Sequence, residues 1–124
     1  MMDENNVIGQ TYESIMSDRF KMYEFRTKLG YARYNDLSAK IFFTIKKIRA
    51  LKKEIKKCQR LGAELGISGK TVYRLGTRSF IAELNMELAS LRMLIGKRKE
   101  KMEELRRLIG ERNDAYNKLN NLEK

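Results

Sequence analysis

Apolar residues recur at alternating intervals of three and four along the first half of the chain. This spacing keeps the side chains on one side of an α-helix, and over several repeats it is typical of coiled coils. The pattern predicts a helix over residues 11–65, with Gly30 as the point where it would kink, after a flexible arm at residues 1–10. Two series of positions form the apolar seam: Phe20, Thr27, Tyr34, Ile41, Ile48, Ile55 and Gly62, and Met16, Tyr23, Gly30, Leu37, Thr44, Leu51, Cys58 and Leu65.

A second series with the same spacing predicts another long helix, over residues 79–124. Its members are Ile81, Leu84, Leu88, Leu91, Ile95, Arg98, Met102, Leu105, Ile109, Arg112, Tyr116 and Leu119. The chain contains no proline, so no residue removes an amide donor and forces either helix to break. The two helices could fold back on each other as an antiparallel coiled-coil hairpin, or the second helix could pair with its copy in a dimer.

Four glycines separate the two predicted helices: Gly62, Gly66, Gly69 and Gly76. Such a cluster indicates a chain reversal or a short element, so residues 66–78 are predicted to form a glycine-rich connector or a short helix. The expected fold is therefore all-α, a single domain of 124 residues built from long helices with a turn in the middle.

The stretch from Leu61 to Leu75 resembles the helix-turn-helix signature of DNA-binding regulators. The matching residues are Gly62, Leu65, Gly66, Ile67, Val72 and Leu75. The resemblance implies a left-handed turn at Gly66 and a helix capped by Ser68. It also implies a core position for Val72, and it places Lys70, Thr71, Tyr73, Arg74 and Arg78 at the major groove or its flanking phosphates. Alternatively, the stretch is a connector whose aliphatic residues cap the end of a hairpin.

Positive charge is concentrated in the middle of the chain. The net charge is +11, and residues 40–76 contain eleven basic but only two acidic residues. On a helix, six of the basic side chains lie opposite the apolar seam: Lys46, Arg49, Lys53, Lys56, Lys57 and Arg60. Like charges on neighbouring turns repel, and phosphate groups would neutralise them. A solvated surface or an acidic protein partner are the alternative interpretations of this face.

These features predict a non-enzymatic nucleic-acid-binding protein, with DNA favoured over RNA, such as a small dimeric regulator or an accessory protein of a phage or mobile element. The alternative is a structural or adaptor coiled-coil protein in a larger assembly, such as a phage or ribonucleoprotein particle. In that case the partner is a second copy or another coiled-coil protein. The aromatic residues among basic ones at positions 20–34 are interpreted as core; the alternative is that they stack on unpaired bases.

Catalytic and cofactor-dependent functions find no support in the residue types. Histidine is absent and Cys58 is the single cysteine, so a disulfide within the chain and a cysteine zinc site are excluded. The residues Ser68 to Thr71 resemble the end of a phosphate-binding loop, but Glu64 stands where that motif requires glycine, which argues against a nucleotide or other small-molecule substrate. No apolar run approaches the roughly 20 residues of a membrane span. We expect a protein of the cytoplasm, or of a particle assembled there, with no membrane partner.

Overall fold

The computed structural model describes the backbone of residues 4–123 and the side chains of residues 11–122. The described chain is almost entirely helical. Helix α1 (Glu4–Glu64) is followed by the single turn α2 (Gly69–Val72), a π-helical turn (Tyr73–Thr77) and helix α3 (Arg78–Glu123). The predicted all-α class is confirmed.

Two of the predicted boundaries change. The backbone is helical from Glu4, so the predicted flexible arm at residues 1–10 is helical over its described part. The helix also passes through Gly30 without a break. Residues 66–78, predicted to form a connector or a short helix, are helical from Gly69, so the part without helical structure is limited to residues 65–68. Helix α1 therefore begins earlier than predicted, whereas α3 begins within one residue of its predicted start.

Glycine and serine define the reversal between α1 and α2. Gly66 has a φ of 69°, a left-handed conformation that glycine adopts without steric cost. Its amide donates to the carbonyl of Ala63 at 3.2 Å, and the amide of Ile67 donates to the carbonyl of Gly62 at 2.8 Å. This pair of bonds is a Schellman motif, which satisfies the last carbonyls of α1. The predicted left-handed turn at Gly66 is confirmed.

Ser68 begins the second helical segment. Its backbone is extended, with φ −62° and ψ 151°, and its hydroxyl oxygen accepts a hydrogen bond from the amide of Thr71 at 3.3 Å. This satisfies one of the free amides at the start of a helix. The predicted cap is confirmed. Helical structure then continues through the π-helical turn into α3, so α2 is not a separate helix followed by its own loop.

The chain divides into two compact units. We call the first the terminal unit, which combines Met1–Asn35 with Lys99–Lys124, and the second the central unit, which comprises Asp36–Arg98. Each unit contains one stretch of α1 and one stretch of α3.

In the terminal unit, α1 and α3 pack in an antiparallel direction. The rings of Phe20 and Tyr116 have centroids 5.6 Å apart, whereas Gly30 faces Leu105, so residue numbers rise along one helix as they fall along the other. Leu105 is fully buried. The close approach at Gly30 explains why glycine lies in the seam there: an added Cβ would stand 2.6 Å from Leu105 Cδ2.

In the central unit, the reversal brings the end of α1 against α2 and the π-helical turn. Gly62 lies against Val72, and a Cβ on Gly76 would be 3.6 Å from Cys58 Sγ. The core of this unit includes Ile41, Thr44, Ile48, Leu51 and Thr77. The buried hydroxyl of Thr44 donates to the carbonyl of Lys40 at 2.8 Å, which satisfies it inside an apolar seam.

The apolar seam predicted for α1 coincides with the buried and half-buried positions from Met16 to Gly62. Leu65 departs from it, because it follows the end of the helix and is 65% exposed. In α3 one half of the seam shifts by one residue. Leu108 and Ala115 are buried, whereas the predicted seam residues Ile95 and Tyr116 are exposed. The spacing of three and four is retained in both helices.

Candidate nucleic-acid interface

Net charge is distributed very unevenly between the two units. The central unit contains fifteen basic and five acidic residues, a net charge of +10. The terminal unit contains twelve basic and eleven acidic residues, a net charge of +1. The excess positive charge of the protein therefore belongs almost entirely to the central unit.

Within the central unit, the cationic side chains of α1 lie on the side away from its core. Lys46, Arg49, Lys53, Lys56, Lys57 and Arg60 are all exposed, and we call this set the outer face. The seam residues Ile48 and Leu51, between them in sequence, are buried. The prediction that these six side chains lie opposite the seam is confirmed. At about 1.5 Å per residue the outer face extends over roughly 21 Å of helix.

Acidic side chains neutralise little of the outer face. Among the described residues, the ion pairs all join side chains three or four residues apart on one helix. The one in the outer face joins Lys57 Nζ to Glu54 Oε1 at 3.4 Å, with the lysine side chain 72% exposed. An exposed pair of this kind contributes about 0–1 kcal/mol. The other five cations of the face have no carboxylate partner in the part of the chain that the structure describes.

Two aromatic residues lie at the N-terminal end of the outer face. Phe42 is 55% exposed and Phe43 is 60% exposed, and their ring centroids are 5.8 Å apart in an edge-to-face arrangement. The ammonium group of Lys46 lies 4.6 Å from the centroid of the Phe42 ring, a cation–π contact. These two phenylalanines were not among the candidate residues from the sequence. Their positions in the sequence could have predicted this exposure. Phe42 is seven residues before Arg49 and Phe43 is seven residues before Ala50, on the side of the helix away from the seam.

The three remaining candidate residues lie beyond the reversal, on α2 and on the π-helical turn. Lys70 is in α2 and Arg74 is in the π-helical turn, and both are exposed. Thr71 is half-buried, and its hydroxyl lies 2.9 Å from the hydroxyl of Ser68, so it takes part in the helix cap. The nine candidate residues thus form two groups, six on α1 and three beyond the reversal.

The resemblance to a helix-turn-helix holds for only part of its residues. Gly66, Ser68 and Val72 have the conformation, the cap and the packing that it implies. Leu65, which the predicted seam of α1 includes, is 65% exposed, and Leu75 is 73% exposed, so neither packs in a core. The physical reason is that α1 contacts α2 on the side of Val72, which leaves both leucines at the surface.

The aromatic residues at positions 20–34 also separate into two groups. Phe20, Tyr23 and Tyr34 are half-buried, in agreement with a core position. Phe25 and Tyr31 are exposed, so the interpretation as core is wrong for these two. They belong to the terminal unit, which has little excess charge.

The described residues contain no cluster of three or more histidine, cysteine, aspartate or glutamate side chains of the kind that holds a metal ion. Over the same range, no helix combines the length and the apolar character that crossing a bilayer requires. Comparison of the chain with protein-family models, with curated proteins and with solved structures gives no match.

Proposed function

We propose that the protein binds nucleic acid without catalysing a reaction, and that the outer face supplies its contacts with phosphate. DNA is favoured over RNA, and a small regulator or an accessory protein of a phage or mobile element, located in the cytoplasm or in a particle assembled there, would use such a surface. The observation that carries the proposal is the concentration of +10 of the net charge in the central unit, with six exposed cations on one side of α1.

The energy of this binding would come from the release of counterions. Each phosphate that a lysine or arginine neutralises frees condensed cations, and affinity therefore falls steeply as salt rises. Binding would also relieve the repulsion between cations on successive turns, since like charges three or four residues apart destabilise a helix. Lys53, Lys56 and Lys57 lie at the middle of the face and would make the most contacts.

The test is a variant in which Lys53, Lys56 and Lys57 are all replaced by glutamate. We expect it to lose binding to duplex and single-stranded DNA in a gel shift at low salt, with unchanged helicity, because the three residues are exposed. A matched control replaces Lys21, Arg106 and Lys118 by glutamate. These residues are exposed and lie in the terminal unit, and the control has the same net charge as the test variant. If both variants bind as the original protein does, or lose affinity equally, the outer face is not the binding site.

The alternative function, an adaptor or structural protein that pairs with itself or with another coiled-coil protein, is favoured by a separate observation. The large apolar residues Leu61, Leu65 and Leu75 are exposed around the reversal in the central unit. With Cys58 and Ile67 they surround a shallow groove of about 160 Å³. Contiguous apolar surface of this kind is typical of sites that contact another protein. This function predicts a protein partner and no shift of any nucleic acid at low salt.

A further inference from the structure

Phe42 lies on the solvent side of α1, opposite its buried residues, and Phe43 lies at the flank of that side, where it lines a groove between α1 and α3. Their sequence neighbours Ile41 and Thr44 are buried in the seam, whereas more than half of each phenylalanine side chain is exposed. The two rings contact each other, and Phe42 contacts the ammonium group of Lys46. Two adjacent phenylalanines among lysines indicate a ligand that offers both flat apolar groups and negative charge.

Phe42 and Phe43 are in line with the cations of the outer face. Residues seven apart occupy nearly the same side of a helix, at about 10.5 Å along its axis. Phe42 is therefore aligned with Arg49 and Lys56, and Phe43 with Lys57. A strand whose phosphates follow these cations would carry its next nucleotides to the two rings.

We propose that Phe42 and Phe43 stack on unpaired bases, and that the outer face consequently binds single-stranded nucleic acid more tightly than duplex. This inference rests on the proposed function and specifies its ligand. Bases in a duplex are already stacked on each other, so a duplex would present only its backbone to these rings. In a single strand every base offers a free aromatic surface, and sequence has little influence on such stacking.

A groove beside Phe43 provides room for a base. It has a volume of about 360 Å³ and lies within the central unit, between α1 and α3. Lys40 and Lys47 line it next to Phe43, and Ser90 and Met93 line it from α3. The two lysines would meet the phosphates on either side of the stacked nucleotide. One carboxylate, from Glu87, also lines the groove.

The charge around the two rings argues against a second copy of the chain as the ligand. Two central units packed through this face would bring two sets of lysines and arginines together, and each unit has a net charge of +10. Like charges that face each other across an interface oppose association. A polyanion has the opposite charge and does not meet this obstacle.

The experiment measures the fluorescence anisotropy of a labelled oligodeoxythymidine of about 16 nucleotides, a length suited to single-strand sites. A mixed-sequence duplex of the same length is measured in parallel. We expect the protein to bind the single strand more tightly. Replacement of Phe42 and Phe43 together by alanine should weaken single-strand binding about tenfold or more, which corresponds to the loss of at least one stacked base. Duplex binding should be unchanged.

Two further variants complete the test. Phe25→Ala removes a phenylalanine that is 67% exposed but lies in the terminal unit, and it should leave single-strand affinity unchanged. Replacement of Phe42 and Phe43 by tyrosine keeps the aromatic rings and should retain the affinity.

Tighter binding of the duplex, or single-strand affinity that survives the alanine variant, would overturn the stacking proposal. If the lysine-to-glutamate variant still loses binding in that case, phosphate contact by the outer face stands alone. A dimer that dissociates in the alanine variant, with single-strand affinity unchanged, would identify the rings as a contact between copies and would also overturn the proposal.

Discussion

Replacing Gly30 with alanine has two opposing effects on the stability of the terminal unit: it raises helix propensity, and it adds a methyl group where the two helices are close. Glycine in the interior of a helix is less favourable than alanine by about 1 kcal/mol, so propensity alone predicts that the variant is more stable. The structure predicts the opposite. A Cβ at this position would stand 2.6 Å from Leu105 Cδ2 and 3.3 Å from its Cγ, closer than ordinary contact distances.

The magnitude follows from the environment of Leu105. Its side chain is fully buried, so it cannot swing into solvent to admit the new methyl group. Overpacking of this kind costs about 1–3 kcal/mol. After the gain in propensity of about 1 kcal/mol is subtracted, we expect Gly30→Ala to lower the free energy of unfolding by about 1 kcal/mol.

The assay is urea unfolding followed by far-ultraviolet circular dichroism. Gly110→Ala is the matched control, because Gly110 lies in the same unit, is exposed and would have no atom within 4 Å of an added Cβ. The control should be more stable by about 1 kcal/mol. Combining Gly30→Ala with Leu105→Ala should show positive coupling, since the smaller side chain relieves the clash. If Gly30→Ala stabilises the protein as much as Gly110→Ala does, the close packing of Gly30 against Leu105 is refuted.

Three further predictions concern stability. Leu105→Ala should lower the free energy of unfolding by about 2–5 kcal/mol in the same urea assay, because it leaves a cavity at a fully buried position; a smaller loss would mean that the helices close over the gap. Ser68→Ala should cost about 1 kcal/mol through loss of the cap, whereas Ser68→Asp, which keeps an accepting oxygen, should cost much less; equal losses would exclude the capping bond as the cause. The hydrogen bond from Lys101 Nζ, at 2.7 Å, and the lysine charge lower the pKa of the Glu104 carboxyl. A lowered pKa in the folded state stabilises the protein at neutral pH, and this contribution is lost as the pH falls through that pKa. Because Glu104 is partly exposed, Glu104→Gln should cost at most about 0.5 kcal/mol at neutral pH and nothing in acid; a cost that persists in acid would contradict this assignment.

The seam of α1 could be predicted from the sequence because its positions admit one pattern. From Lys46 to Arg60 the residues opposite the seam are mostly lysine and arginine, so the charged side also defines the buried side there. In α3 the apolar stripe is wider. Leu94 and Ile95 are adjacent, as are Leu108 and Ile109, and the spacing of three and four can be satisfied by either member of a pair. Contact with α1 selects Leu108 as the buried residue, and no pattern within α3 contains that information.

The positions of the outer-face cations could also be predicted, because the side opposite an apolar seam is exposed in any two-helix packing. The exposure of Leu65 and Leu75 could not. Aliphatic residues beside a turn are buried only if a further element covers them. The helix after the reversal contacts α1 through Val72, which leaves Leu65 and Leu75 uncovered. Phe42 and Phe43 were missed for the related reason that phenylalanine in a helix is expected in the core, whereas their spacing from Ile41 and Thr44 places them outside it.

The salt dependence of single-strand binding shows whether the outer face contacts phosphate. If the six cations of the outer face each neutralise a phosphate, the logarithm of the association constant should fall with the logarithm of salt concentration with a slope of about −4. The variant with glutamate at positions 53, 56 and 57 should have a slope of about −2 or smaller in magnitude, together with much weaker binding. A slope near zero for the original protein, or an unchanged slope in the variant, would contradict the assignment of phosphate contacts to the outer face.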